Sequence, residues 1–212
     1  MDACCEHKTE EVNILRGEHR KVLVLVLAIN AVLFVVEAAA GLIAHSTALL
    51  ADSLDMFGDS LVYGFSLYVL WRSAEWKAMA AVVKGVIMAL FGAGVLIEAV
   101  YKIAAGVTPA AEMMGIIGLL VLIGNGVCFL LLFRHRSDDL NMRSTWLCSR
   151  NDIIANVAVL LAAAGVRLMN SGWPDIIVGA TIAGLFLRSS FTVLSESFAH
   201  LQKLKSNPEV AA

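Results

Sequence analysis

The chain has 212 residues, a formal net charge of −2, 59% hydrophobic residues and only 16% charged ones. A soluble domain is nearer half apolar and about a quarter charged, so this composition, with a mean hydropathy of +0.78, belongs to a membrane protein. The near-neutral balance excludes a nucleic-acid binder, and the placing of the 4 cysteines, two adjacent and two inside apolar runs, argues against a disulfide framework.

Residues 1–20 are polar and include Glu6, Glu10, Glu11 and Glu18, which is too acidic for a secretory signal peptide. Cys4, Cys5 and His7 could hold a soft metal transiently, but a disordered tail is the simpler reading, because clustered side chains without a scaffold specify little. Arg16, His19, Arg20 and Lys21 close the tail as a basic anchor. The first apolar segment runs from about 22 to 44 and is long enough to span. It contains Asn30 and Glu37. A glutamate at that depth is costly unless it faces the helix bundle, and both a packing hydrogen bond and a transport role fit it. His45-Ser46-Thr47 is a very short turn.

The second segment runs on to about Trp71 and carries Asp52, Asp55 and Asp59. Asp55 and Asp59 stand one helical turn apart on one face, with Asp52 partly on that face too. Ala48, Ala51, Ser53 and Gly58 flank them and allow close helix approach. A charged loop with Trp71 and Trp76 follows. The third segment, about 79–103, has Lys84 near one end, able to snorkel, and Glu98 near the other. A turn with Pro109 leads to the fourth segment, 113–133, rich in glycine and with Asn125 as one polar handle. After a polar loop over 134–143, the fifth segment runs from about 144 to 167 and carries Cys148 and Asp152, again spaced i, i+4. Arg150 points to the opposite side of that helix, and Cys128 in the fourth reads as a small core residue. The sixth segment, about 176–187, continues amphipathically, since Phe191, Leu194, Phe198 and Leu201 recur at three- and four-residue steps.

The expected architecture is an all-α integral membrane protein with six transmembrane helices. A cytoplasmic tail covers 1–20, the helical domain 21–190 and a short amphipathic cytoplasmic tail 191–212. The segments at 16–21, 72–77, 134–143 and 188–205 are basic, whereas 45–47, 104–112 and 168–175 contain no Lys or Arg. By the positive-inside rule both termini are cytoplasmic.

The two polar pairs lie at compatible depths. Counting from His45, Asp55 and Asp59 lie roughly 15–21 Å into a ~30 Å core. Counting from Arg143 on the other side, Cys148 and Asp152 lie roughly 8–14 Å in. Three carboxylates and one thiolate could converge on a divalent cation, a donor set that suits Zn²⁺ or Cd²⁺ better than Mg²⁺ or Ca²⁺. Metal binding to such a site would release protons, and protons would compete for it, which is the minimum machinery of a metal–proton antiporter. Transport of another ion, or acids that only hold the bundle together by hydrogen bonds, also fits these residues.

The run His45-Ser-Thr-Ala-Leu-Leu-Ala-Asp-Ser-Leu-Asp-Met-Phe-Gly-Asp59 resembles the second transmembrane helix of the cation diffusion facilitator family. The run Asn141-Met-Arg-Ser-Thr-Trp-Leu-Cys-Ser-Arg-Asn-Asp152 looks like the start of that family's fifth helix. The resemblance covers roughly residues 20–200. It implies a homodimeric transporter of the bacterial inner membrane, not an enzyme and without a cofactor, that exports Zn²⁺ or a related divalent ion in exchange for protons. The family's transmembrane site carries over to Asp55, Asp59, Cys148 and Asp152. Asp52 and Asn156 are candidate supporting or accessory groups, and His45 could guide released metal at the outer mouth. Asp55 and Cys148 stand where zinc members commonly have histidine, which leaves Cd²⁺, Co²⁺, Fe²⁺ and Mn²⁺ open as substrates. The chain resembles the minority of the family without a cytoplasmic C-terminal domain. The competing reading is a membrane scaffold, or a metal sensor built on the Cys4/Cys5/His7 tail.

Overall fold

The computed structural model describes residues 3–69, 74–134 and 140–206; side-chain environments are described for a subset that leaves out, among others, residues 3–20, Asp59, 61–69 and 141–148. The chain order is α1 (Ala3–Ala44), α2 (Thr47–Val69), α3 (Ala74–Ala105), α4 (Ala111–Phe133), α5 (Leu140–Met169) and α6 (Trp173–Ser206). No strand occurs among the described residues. Five of these helices (all but α2) are long and apolar enough to cross a membrane by composition. The exception has 23 residues, about 35 Å of helix, and carries three aspartates, Asp52, Asp55 and Asp59, in that length.

Each apolar run became a helix because one stripe of it could be buried. On α1 the buried residues include Val26, Asn30, Leu33, Glu37, Ala40 and Ala44, and on α4 they are Met114, Gly118, Val121, Asn125, Cys128 and Leu132. Both follow alternating steps of four and three, the spacing of helices crossing at shallow angles. The remaining apolar side chains, such as Leu90, Ile97, Ile123 and Leu161, face outward. In water such a surface would aggregate; in lipid it is solvated. At the centre sits α2, where Ala48 through Leu54 are all buried, packed by α1, α3, α5 and α6.

Helix ends refine the sequence-based limits. The polar N-terminal residues are helical from Ala3 onward and not a disordered tail. No proline and only Gly17 interrupt them, so nothing stops the helix from propagating backward. The fifth helix starts at Leu140 and the sixth at Trp173, each a few residues before the apolar pattern begins. The continuation of α6 past the apolar core is helical as expected, but its stripe is divided. Leu194 packs on Gly85 of α3, and the Ser190 hydroxyl donates to the Gly85 carbonyl at 2.7 Å, while Phe191 and Phe198 are exposed.

The short turns gather at one end of the bundle. His45 adopts φ 51°, and the Ser46 N–H reaches the Gly41 carbonyl at 2.9 Å, closing α1 with a Schellman-type turn. The Ala110 N–H donates to the Ala44 carbonyl at 2.9 Å, joining the start of α4 to the end of α1. Buried Lys102, near the end of α3, bonds Glu98 at 2.9 Å and the Thr47 hydroxyl at 3.1 Å. Asp175, fully buried at the start of α6, accepts from the Ser46 hydroxyl at 2.6 Å, the Thr47 N–H at 2.7 Å and the Ala48 N–H at 3.0 Å. These contacts make successive helices antiparallel. They set the ends of α1, α3 and α5 beside the starts of α2, α4 and α6, with both ends of the described chain at the opposite end of the bundle.

Candidate metal centre

Just beneath the turn end lies an apolar layer of Ala48, Leu49, Ala51, Met114, Val159, Ala162, Ala163 and Val166. Below it the interior becomes polar. The Asn125 amide on α4 donates to the Asn156 carbonyl oxygen on α5 at 2.9 Å. The Asn156 amide in turn donates to Asp52 Oδ2 on α2 at 2.5 Å. All three residues are 1% exposed or less. The remaining neighbour is Glu37 of α1, which is 0% exposed and faces the Asp52 carboxyl. Neither Glu37 oxygen meets an N–H or O–H donor. Buried polar atoms without a partner are rare, and acidic ones inside a membrane bundle rarer still. Toward the opposite end, Asn30 Oδ1, Ser60 Oγ and Ser149 Oγ are also buried without partners. The four helices α1, α2, α4 and α5 therefore enclose a polar interior that an apolar layer closes at the turn end.

The Asn156–Asp52 bond fixes the register of α5 against antiparallel α2. From Asp52, Asp55 and Asp59 lie three and seven residues toward the termini end, about 4.5 and 10.5 Å. From Asn156, Asp152 and Cys148 lie four and eight residues in that same direction, about 6 and 12 Å. On the backbone, Asp152 is thus level with Asp55 and Cys148 level with Asp59, each within about 1.5 Å. Asp152 is buried and Asp55 is partly exposed. A ladder of Phe34, Phe57 and Phe91, with ring centroids 4.8 and 5.1 Å apart, ties α1, α2 and α3 together near that level.

The side chains of Asp59 and Cys148 lie outside the described residues, so half of the expected quartet is placed by backbone alone. Among the described residues no three His, Cys, Asp or Glu side chains meet as a ready metal site. Asn156 does more than extend the Cys148–Asp152 face: it binds Asp52 directly. His45 is exposed in the turn, about two helical turns beyond Asp52. Cys128 is buried beside Val26 and Leu132 as expected, and Arg150 is exposed. The Glu37–Asp52 contact and the Asn125–Asn156 link were not foreseen. The available signal was the stripe itself: 52, 55 and 59 on α2 and 148, 152 and 156 on α5 follow steps of three and four that carry the polar faces one turn further than the motifs alone.

Residues 23–202 match the family model of the cation efflux transmembrane domain. The chain is 26% identical over 208 residues to a cadmium, cobalt and zinc/H(+)-K(+) antiporter of Bacillus subtilis, covering 91% of this chain and 66% of that protein. It is 28% identical to the zinc transporter ZitB of Yersinia pestis, covering 88% and 64%, and 25% identical to the metal cation efflux system protein CzcD of Cupriavidus metallidurans, covering 85% and 63%. The chain thus spans about two thirds of the length of these curated relatives. A match across nearly all of the helical region, joined to a six-helix bundle with acids at its heart, makes this chain a member of the cation efflux family, the cation diffusion facilitators of divalent metal transport.

Proposed function

We propose that the protein exports a divalent metal cation, Zn²⁺ or Cd²⁺, across a bacterial inner membrane in exchange for protons. Asp55, Asp59, Cys148 and Asp152 serve as the substrate's ligands. The observation that carries this reading is the register between α2 and α5, which levels two i, i+4 pairs beside a buried polar interior. A thiolate with three carboxylates favours borderline and soft divalent ions over Mg²⁺ and Ca²⁺. The relatives' printed names, which include cadmium, cobalt and zinc, support the same class of substrate.

The basic segments put the termini end in the cytoplasm. The polar interior and partly exposed Asp55 lie toward that end, and the apolar layer under the turns closes the other, so metal enters from the cytoplasm. Binding deprotonates the thiol and any protonated carboxyl, and protons returning from outside displace the ion. Alternating access then consists of opening the apolar layer while closing the cytoplasmic side, as in other secondary transporters. The protein works as a homodimer held through its membrane helices.

The test is zinc uptake into proteoliposomes holding the full chain in the orientation that exports from the cytoplasmic face. Asp59→Ala and Asp152→Ala should each abolish uptake while the purified variants stay monodisperse. Full uptake by either one would sink the assignment.

A further inference from the structure

The contact between Glu37 and Asp52 is explained by neither the ligand set nor the Asn156–Asp52 bond that sets the register of α5. Both are buried, at 0% and 1% exposure, and they come from different helices. Among the described residues neither is seen to pair with a Lys, Arg or His, and the ion pairs Glu98–Lys102 and Arg167–Glu112 lie at the turn end. Two ionised carboxylates in direct apposition, without a cation, would repel strongly in so poorly solvated a place. One proton between them turns the repulsion into a short charge-assisted hydrogen bond.

The polar chain says where that proton sits. Asn125 donates to Asn156, which fixes the Asn156 amide so that its N–H₂ points at Asp52 Oδ2. The Asp52 carboxyl thus takes a donor from Asn156 on one side and faces the Glu37 carboxyl on another. Glu37 has two oxygens and no other donor to turn to. Between Glu37 and Asp52 there are then only acceptor oxygens, and the smallest occupant that satisfies them is a proton. We propose that Glu37 and Asp52 form a counter-ion site that holds one shared proton in the metal-free bundle, distinct from the metal ligands.

The proposal rests on the transport reading above and deepens it. The acids that face Glu37 are Asp52 and Asp55 from α2, with Asp152 a turn further on α5; from α4 the described polar group is the Asn125 amide. Asp55 stands one turn from Asp52. A divalent ion arriving at Asp55 places positive charge beside the shared proton and favours its departure to the cytoplasm. When the ion leaves on the outside, the uncompensated acid pair takes up a proton from that side. The pair then couples the two fluxes without competing for the same ligand atoms.

The experiment uses the purified full chain and Cd²⁺ as the probe. Titration calorimetry in buffers of low and high ionisation enthalpy counts the protons released on Cd²⁺ binding. Glu37→Gln should release one proton fewer than wild type while its Cd²⁺ affinity stays within about threefold. The infrared difference between Cd²⁺-loaded and metal-free wild type should show loss of a protonated carboxylic C=O stretch, and that band should be missing from Glu37→Gln. In proteoliposomes the stimulation of metal uptake by a pH gradient should fall about tenfold in Glu37→Gln and return in Glu37→Asp. If Glu37→Gln does not fold, Asp52→Asn should show the same loss of one proton. An unchanged proton count together with a retained infrared band overturns the proposal. Failure of wild type to bind Cd²⁺ at all would instead overturn the transport reading on which it rests.

Discussion

Asp175 accepts three hydrogen bonds at the first turn of α2, two of them from backbone N–H groups that would otherwise have no partner inside the helix. The negative charge also faces the positive end of that helix. Its removal should therefore leave several buried donors unsatisfied at once. Asp175→Ala is expected to lower stability by about 2–4 kcal/mol, read as a fall in the thermal unfolding midpoint in detergent, with Asp175→Asn intermediate because one oxygen remains. A second residue-scale outcome concerns selectivity. Cys148→His exchanges a soft donor for a borderline one, so competition uptake should shift toward Zn²⁺ over Cd²⁺ by about tenfold. An unchanged ratio would separate selectivity from this position.

Among elements, α6 approaches α2 backbone against backbone. A Cβ at Gly179 would lie 2.6 Å from the Thr47 carbonyl carbon, and backbone cannot yield as a flexible side chain can. Gly184, on the same helix, has nothing within 4 Å of where its Cβ would be. Gly179→Ala should cost about 1–3 kcal/mol while Gly184→Ala is neutral, a contrast readable by thermal unfolding of the two variants in the same detergent. Element existence and order were legible in the sequence, because apolar runs of spanning length leave the chain few choices. The Asp55–Asp59 and Cys148–Asp152 pairs were legible too, since i, i+4 spacing is a local property. The partner of Glu37, the Asn125–Asn156 link and the role of Asp175 were not. Each depends on how one helix is rotated and shifted against another, and a single helix's periodicity fixes neither relative register nor depth. Even Asn156, already suspected from its face, needed the bond to Asp52 before the register of the metal ligands could be stated.

At the scale of the molecule, the bundle divides into the four helices that enclose the polar interior and an α3–α6 pair attached through α2. The closing contacts sit at the turn end, while α1 extends far beyond the other end of the core. Its 42 residues make about 63 Å of helix against a ~30 Å hydrocarbon thickness. Among the residues whose side chains are described, the first buried one on α1 is Val26. Residues 1–15, including Cys4, Cys5 and His7, thus lie more than two helical turns before the first buried contact described on α1. If transport resides in the α1–α2–α4–α5 interior, deleting residues 1–15 should leave zinc uptake within about twofold of the full chain, because Glu37, Asp52, Asn125, Asn156 and the two i, i+4 pairs all lie beyond the deleted residues. If the Cys/His segment senses metal instead, the same deletion should abolish the response to metal while the bundle still folds. Uptake and thermal midpoint measured on one preparation of the deletion distinguish the two: retained uptake with an unchanged midpoint assigns function to the interior, and lost uptake with an unchanged midpoint assigns it to the N-terminal segment.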